Sequence, residues 1–207
     1  MFNLMPRDEK FYDELEGLAD RVVNTSRQFE TMAVRFPETD GQMQSIEGDR
    51  LGAARTMTES LVRLDQAFIT PLDREDILNL LTEMYGVVDR VAELSQRFRL
   101  YEIKDLHPTL TGQARNLSTI SKALSDVIHS LRHEKKIAEL KSSIDAVSGA
   151  MELVKRDREA FLGTLFAGTP DPLDVIKKKE LHDLLEEAIE RCEEAMEVLV
   201  RVLLKNG

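Results

Sequence analysis

Helix-breaking residues are few in this chain and gather at a handful of places. Pro37, Asp40 and Gly41 mark one break, Thr70-Pro71 a second, His107-Pro108 a third and Gly168-Thr169-Pro170-Asp171-Pro172 a fourth. A softer break lies near His133-Glu134-Lys135-Lys136. Between them run six stretches, roughly 8–35, 42–68, 72–103, 109–132, 136–166 and 173–205, whose apolar residues recur every three or four positions, the period of one helical face. The fifth shows this most clearly, with Ile137, Leu140, Ile144, Val147, Met151, Val154, Phe161 and Leu165 on one stripe. The sixth repeats it through Leu181, Leu185, Ala188, Cys192, Ala195, Leu199 and Val202. Stripes of this width must face a core. The loops between them are short, so neighbouring helices run antiparallel. A helix of about 27 residues spans roughly 40 Å. The expected fold is all-α, an elongated six-helix bundle.

The turns suggest how the bundle is divided. Pro71-Leu72-Asp73 and Pro172-Leu173-Asp174 are the same string, 101 residues apart. At that offset, without a gap, Leu80 meets Leu181, Val88 meets Ile189, Arg90 meets Arg191 and Glu93 meets Glu194. A repeat of this kind predicts one domain over 1–207 made of two three-helix halves, 1–105 and 106–207. Thr70 with Pro71, and Asp171 with Pro172, are the expected starts of the third and sixth helices.

Charge and composition narrow the function. The net charge is −10, which gives no long-range attraction for nucleic acid or anionic lipid. The densest basic run, Lys177-Lys178-Lys179, is followed at once by Glu180 and then Asp183. It reads either as a solvated helical turn or as a small docking spot for an acidic loop or headgroup. The single cysteine, Cys192, excludes an intrachain disulfide and sits on an apolar stripe, where a small buried hydrophobe is expected. The opening Met1-Phe2-Asn3-Leu4-Met5-Pro6 has no basic region or cleavage site, so no signal peptide is expected. No apolar run is long enough to span a bilayer. A cytoplasmic protein is expected.

Catalytic patterns are missing. Gly41, Gly48 and Gly52 lack the Lys-Ser/Thr that would make a phosphate-cradling loop, and there is no Gly-x-Ser-x-Gly elbow. Asp126, His129 and His133 share one helical face and could approach a zinc ion, but they lie at a helix end, where imidazolium also suits the negative pole. His107 and His182 stand alone in the sequence and read as solvent or turn residues.

Several strings resemble one known family. Met1-Phe2 with Pro6-Arg7-Asp8-Glu9-Lys10-Phe11-Tyr12, then Phe68-Ile69-Thr70-Pro71-Leu72-Asp73-Arg74-Glu75-Asp76-Ile77, then Asp171-Pro172-Leu173-Asp174-Val175-Ile176-Lys177 and Lys179-Glu180-Leu181 are similar to the PhoU-like Pit accessory proteins. So are Leu184-Leu185-Glu186-Glu187-Ala188 and Arg191-Cys192-Glu193. The likeness runs end to end, and Phe68–Ile77 is its most specific part. It implies two repeated three-helix bundles and a non-enzymatic role as cytoplasmic regulator or accessory subunit of inorganic phosphate uptake, in contact with a Pit-type permease and with the chance of a homo-oligomer. A metal-binding sensor or storage protein, or a generic helical scaffold, are the alternatives.

The family often carries carboxylate pairs four residues apart, a spacing that puts both on one helix face for a cation. The resemblance places these pairs at 50/54, 85/89, 151/155 and 186/190. They read Arg50/Ala54, Tyr85/Asp89, Met151/Lys155 and Glu186/Glu190, so only the last is complete. The expectation is that built-in cations replace the metal, with Arg50 facing Asp89 and Lys155 facing Glu186 or Glu190. The alternative is a set of ordinary surface residues. No multinuclear cluster is expected, and a weak divalent cation at Glu186 and Glu190 is the remaining cofactor.

Overall fold

The computed structural model describes residues 9–133 and 137–206. The opening string Met1–Asp8 and the soft break at Glu134–Lys136 lie outside them. Six long helices account for most of the chain: α1 Glu9–Arg35, α2 Asp40–Gln66, α3 Arg74–Leu100, α4 Pro108–Leu131, α5 Lys141–Leu165 and α6 Pro172–Asn206. No strand occurs among the described residues. The fifth helix starts later than its apolar stripe suggests, because a single 3-10 turn, Ile137–Glu139, precedes it.

The helix ends show why the punctuation works. His107 caps α4 by accepting from the Thr109 amide, and Pro108 takes the first helical position, where no amide is needed. Asp171 does the same for α6: its carboxylate accepts from the Leu173 amide at 3.1 Å and its carbonyl from Val175 at 3.0 Å. The start of α3 differs from the expectation. Thr70 does not cap it; its hydroxyl donates to the Leu72 carbonyl at 2.7 Å, and the first helical bond runs from the Ile77 amide to Asp73. Pro71 therefore lies in the turn before α3 and Pro172 lies inside α6. The other end of α3 closes through Glu102, at φ 51°. There the Ile103 amide bonds the Phe98 carbonyl at 3.1 Å and the Glu102 amide bonds Arg99 at 3.2 Å, the paired bonds of a left-handed helix stop.

Packing is organised by four helices. α1 lies against α4 and α3 against α6, with α1–α3 and α4–α6 contacts joining the pairs. Their facing stripes are fully buried: Leu18, Val22 and Phe29; Leu80, Met84, Val87 and Val91; Leu117, Ile120 and Leu124; Leu185, Ile189, Cys192 and Leu199. Both cross-half pairs are antiparallel, because α4 ends beside the start of α1 (Arg132 to Glu16, 3.0 Å) and α6 ends beside the start of α3 (Lys205 to Asp73, 2.7 Å). α2 covers α1 and α3; α5 covers α4 and touches α6 more sparsely. Cys192 is completely buried and its thiol is pushed up to about 12, so it behaves as a small core residue. No helix of the described residues is long and apolar enough to cross a membrane.

Candidate functional site

Helices α2 and α3 bring Arg50, Ala54, Tyr85 and Asp89 to one surface. The Arg50 guanidinium grips Glu47, one turn earlier on its own helix, through Nε at 2.9 Å and a second nitrogen at 2.6 Å. Gln96 on α3 donates to the same carboxylate at 3.3 Å. The hydrogen bond to Glu47 holds Arg50 above its ordinary value, and the charges of Glu47, Asp89 and Tyr85 add to it. The expectation was that Arg50 faces Asp89; its direct partner is Glu47. The reason is local: residues three apart on a helix are neighbours, and a bidentate fork fits a carboxylate there without crossing to α3. Asp89 itself pairs with Arg90 at 3.9 Å. A cation entering this face would meet a guanidinium, so the donor set does not fit a metal.

On the other face the arrangement differs from the expectation. Met151 is buried in the core and Lys155 is exposed, and among the described residues Lys155 has no ion pair within reach of Glu186 or Glu190. Arg158, three residues on, takes Glu186 at 2.7 Å. One further turn of α5 brings a longer, forked side chain level with Glu186, which the Lys155 ammonium does not reach. The Glu186 side chain is only 13% exposed. Its burial pushes the carboxyl up; Arg158 opposes that and Glu190 adds to it. Glu186 and Glu190 are therefore the one complete carboxylate pair, with Arg158 already bound to half of it.

The remaining sequence candidates divide. Asp126, His129 and His133 do not converge on one point: Asp126 is held by Lys122, His129 faces Asp20 of α1 at 3.0 Å, and His133 is exposed beyond the end of α4. Lys177 donates to the Tyr101 carbonyl at 2.7 Å, Lys178 bridges Asp105 and Asp174 at 2.9 and 3.0 Å, and Lys179 pairs with Asp183. The basic run clasps α6 to the end of α3.

Two arrangements escaped the sequence reading. His107 and His182 do not stand alone: their rings lie 6.2 Å apart around Phe161, on which His182 stacks at 3.5 Å. His182 is buried, bonds Gln113 at 2.9 Å and Thr109 at 3.3 Å, and is pushed down to about 3 by burial, so it is neutral near pH 7. His107 also bonds Thr164 at 3.1 Å, which fastens the end of α5 to α4 and α6. The second arrangement uses glycine. Arg21 lies over Gly52 to reach Asp49 at 3.5 Å, and Arg191 lies over Gly86 to reach Glu83 at 2.8 Å. A Cβ on Gly86 would sit 2.5 Å from Arg191 Cδ. The signal was available as a carboxylate three residues before a mid-helix glycine, Asp49/Gly52 and Glu83/Gly86.

Comparison with known proteins adds descent to this geometry. No family model matches the chain. It is 23% identical over 206 residues to a Rhizobium meliloti (strain 1021) protein provisionally named a Pit accessory protein, covering 98% of this chain and 96% of that one. It is 27% identical over 215 residues to the UPF0111 protein YkaA of Bacillus subtilis (strain 168), covering 97% and 98%. Two solved structures from Shewanella oneidensis MR-1 share the fold. One, described as a PhoU-like protein, superposes with a TM-score of 0.72 at 16% identity, covering 95% of this chain and 97% of that one. The other, described provisionally as a PhoU-like phosphate regulatory protein, gives 0.60 at 17% with the same coverage. This chain therefore has the fold of the PhoU-like proteins and is similar, along nearly its whole length, to a protein provisionally named a Pit accessory protein.

Proposed function

We propose that this protein is a non-catalytic accessory of inorganic phosphate transport, regulating a Pit-type permease by contact from the cytoplasmic side. The observation that carries the reading is the full-length likeness to a Pit accessory protein on a PhoU-like fold. The surfaces support contact rather than chemistry: at two of the carboxylate-pair positions, Arg50 and Glu186, the side chain is engaged in an ion pair, with Glu47 and Arg158. An acidic bundle complements the Lys- and Arg-rich cytoplasmic loops that the positive-inside rule gives a permease. We also read residues 1–207 as one domain grown from two copies, 1–105 and 106–207. The antiparallel pairing of α1 with α4 and of α3 with α6 is what a two-fold related pair of halves would make.

The test is co-purification of the tagged, full-length protein with the phosphate permease encoded in the same genome, together with uptake of radiolabelled phosphate in cells lacking the protein. Capture of the permease and an altered uptake rate are expected. Unchanged uptake with no capture would overturn the reading.

A further inference from the structure

The string Phe68–Ile77 is the most specific part of the sequence likeness, and folding explains only its second half. Ile77 is fully buried, and Asp76 is buried against Arg201 and Lys205 at 3.4 and 2.8 Å. Arg74 donates back across the turn to the carbonyls of Leu64, at 2.9 Å, and Ala67. Leu72 packs on the core. Phe68 and Ile69 do nothing of this kind: they are 93% and 55% exposed at the α2–α3 turn.

The backbone that carries these two side chains is nonetheless held in place. The Ala67 amide closes α2 on Arg63 at 2.8 Å, the Thr70 hydroxyl binds the Leu72 carbonyl at 2.7 Å, and the Arg74 guanidinium straps the turn from below. A large apolar side chain presented on a backbone already fixed leaves only its own rotamers to be ordered when a partner buries it, which lowers the cost of using it as an interface anchor.

The collar around the tip carries an excess of one carboxylate, with Asp65, Asp73, Glu75 and Asp76 against Arg74, Arg201 and Lys205. Asp65 and Glu75 are exposed and form no ion pair among the described residues; the Asp73 side chain, 66% exposed, shares Lys205 with Asp76. Such a collar repels anionic lipid. It also opposes tip-to-tip pairing of two copies, which would place the same carboxylates against each other. It complements a socket edged with cations.

We infer that the α2–α3 turn is the docking element for the permease, with Phe68 and Ile69 entering an apolar socket rimmed by Lys or Arg on its cytoplasmic loops. This rests on the function proposed above and assigns it a surface. Phe166, Leu173 and Ile176, exposed apolar residues at the opposite end of the bundle, stay outside the contact.

The experiment measures binding of the full-length protein to the same-genome permease in nanodiscs of zwitterionic lipid. F68S/I69S weakens binding about tenfold or more. D65K/E75K also weakens it and flattens its salt dependence. F166S leaves it unchanged. Unaltered thermal midpoints show that the variants remain folded. Equal binding by wild type and F68S/I69S overturns this assignment and leaves the function standing. No binding by wild type overturns both. If F68S/I69S instead abolishes self-association in sedimentation velocity, or binding to phosphatidylglycerol vesicles, the occupant is a second copy or a membrane and the assignment falls.

Discussion

Among single residues, His182 gives the sharpest expectation. Its folded value is about 3 and its ordinary value 6.5. The unfolded chain therefore takes up a proton that the folded chain refuses. The folded state keeps its full advantage above pH 6.5 and loses about 1.4 kcal/mol for each unit below it. His182→Gln lowers stability at pH 7 by about 1–2 kcal/mol, through lost stacking on Phe161. It also removes about 2 kcal/mol of the decline between pH 7 and pH 5. Urea titrations of both proteins at the two pH values check this; parallel declines would count against it. Arg158 gives a second expectation. If its guanidinium competes for Glu186, Arg158→Ala raises affinity for Mn²⁺ about tenfold. Glu186→Gln in the same background abolishes the gain. Titration calorimetry reads both. The resemblance, not the sequence pattern, pointed to the altered positions, and neither gave these partners. Glu47, Arg158 and Phe161 are ordinary residues of a helical face until the helices are rotated and packed. Which arginine meets which carboxylate is decided by a few ångströms of register that periodicity does not contain.

At the scale of whole elements, the reading from sequence came close to the observed ends, because Pro and Gly act locally and the apolar period is regular along each helix. It failed where a tertiary contact overrode a local device. Thr70-Pro71 has the letters of a helix start, yet the turn is bound by Arg74 to the end of α2, and α3 begins at Arg74 with Asp73 before it. Asp171-Pro172 carries no such strap and starts α6 as its letters suggest. Asp171→Ala therefore costs about 1 kcal/mol, the usual loss of a cap, whereas Thr70→Ala costs about half as much or less, since it removes a single turn bond and leaves the Arg74 strap in place. At the far end of α3, Glu102 occupies the left-handed position that glycine fills at no steric cost. Glu102→Gly is expected to stabilise the protein by about 0.5–1 kcal/mol. A lowered denaturation midpoint in that variant would show that the Glu102 side chain matters more than its backbone.

The whole molecule behaves as its burial dictates. The sequence suggested two halves, and halves of about a hundred residues could each have been separate folding units. The contacts argue otherwise. The fully buried stripes of α1 and α3 meet those of α4 and α6, and cutting the chain near residue 105 would leave both cross-half interfaces open to water. Among the described residues, α2 and α5 touch only elements of their own half. Unfolding is therefore expected to be one cooperative transition. Leu18→Ala in α1 and Leu185→Ala in α6 each remove a completely buried side chain from different halves, at a cost of about 2–5 kcal/mol. Both should move the same transition, with helical circular dichroism and size-exclusion radius changing together. Two separated transitions, with only one shifted by each variant, would mean that the halves are joined by contact but not by stability. A regulator built that way could part its halves on binding. On the function proposed above, a shared core presents the partner with a rigid bundle, to which an exposed turn at one end is better suited than a hinge between the halves.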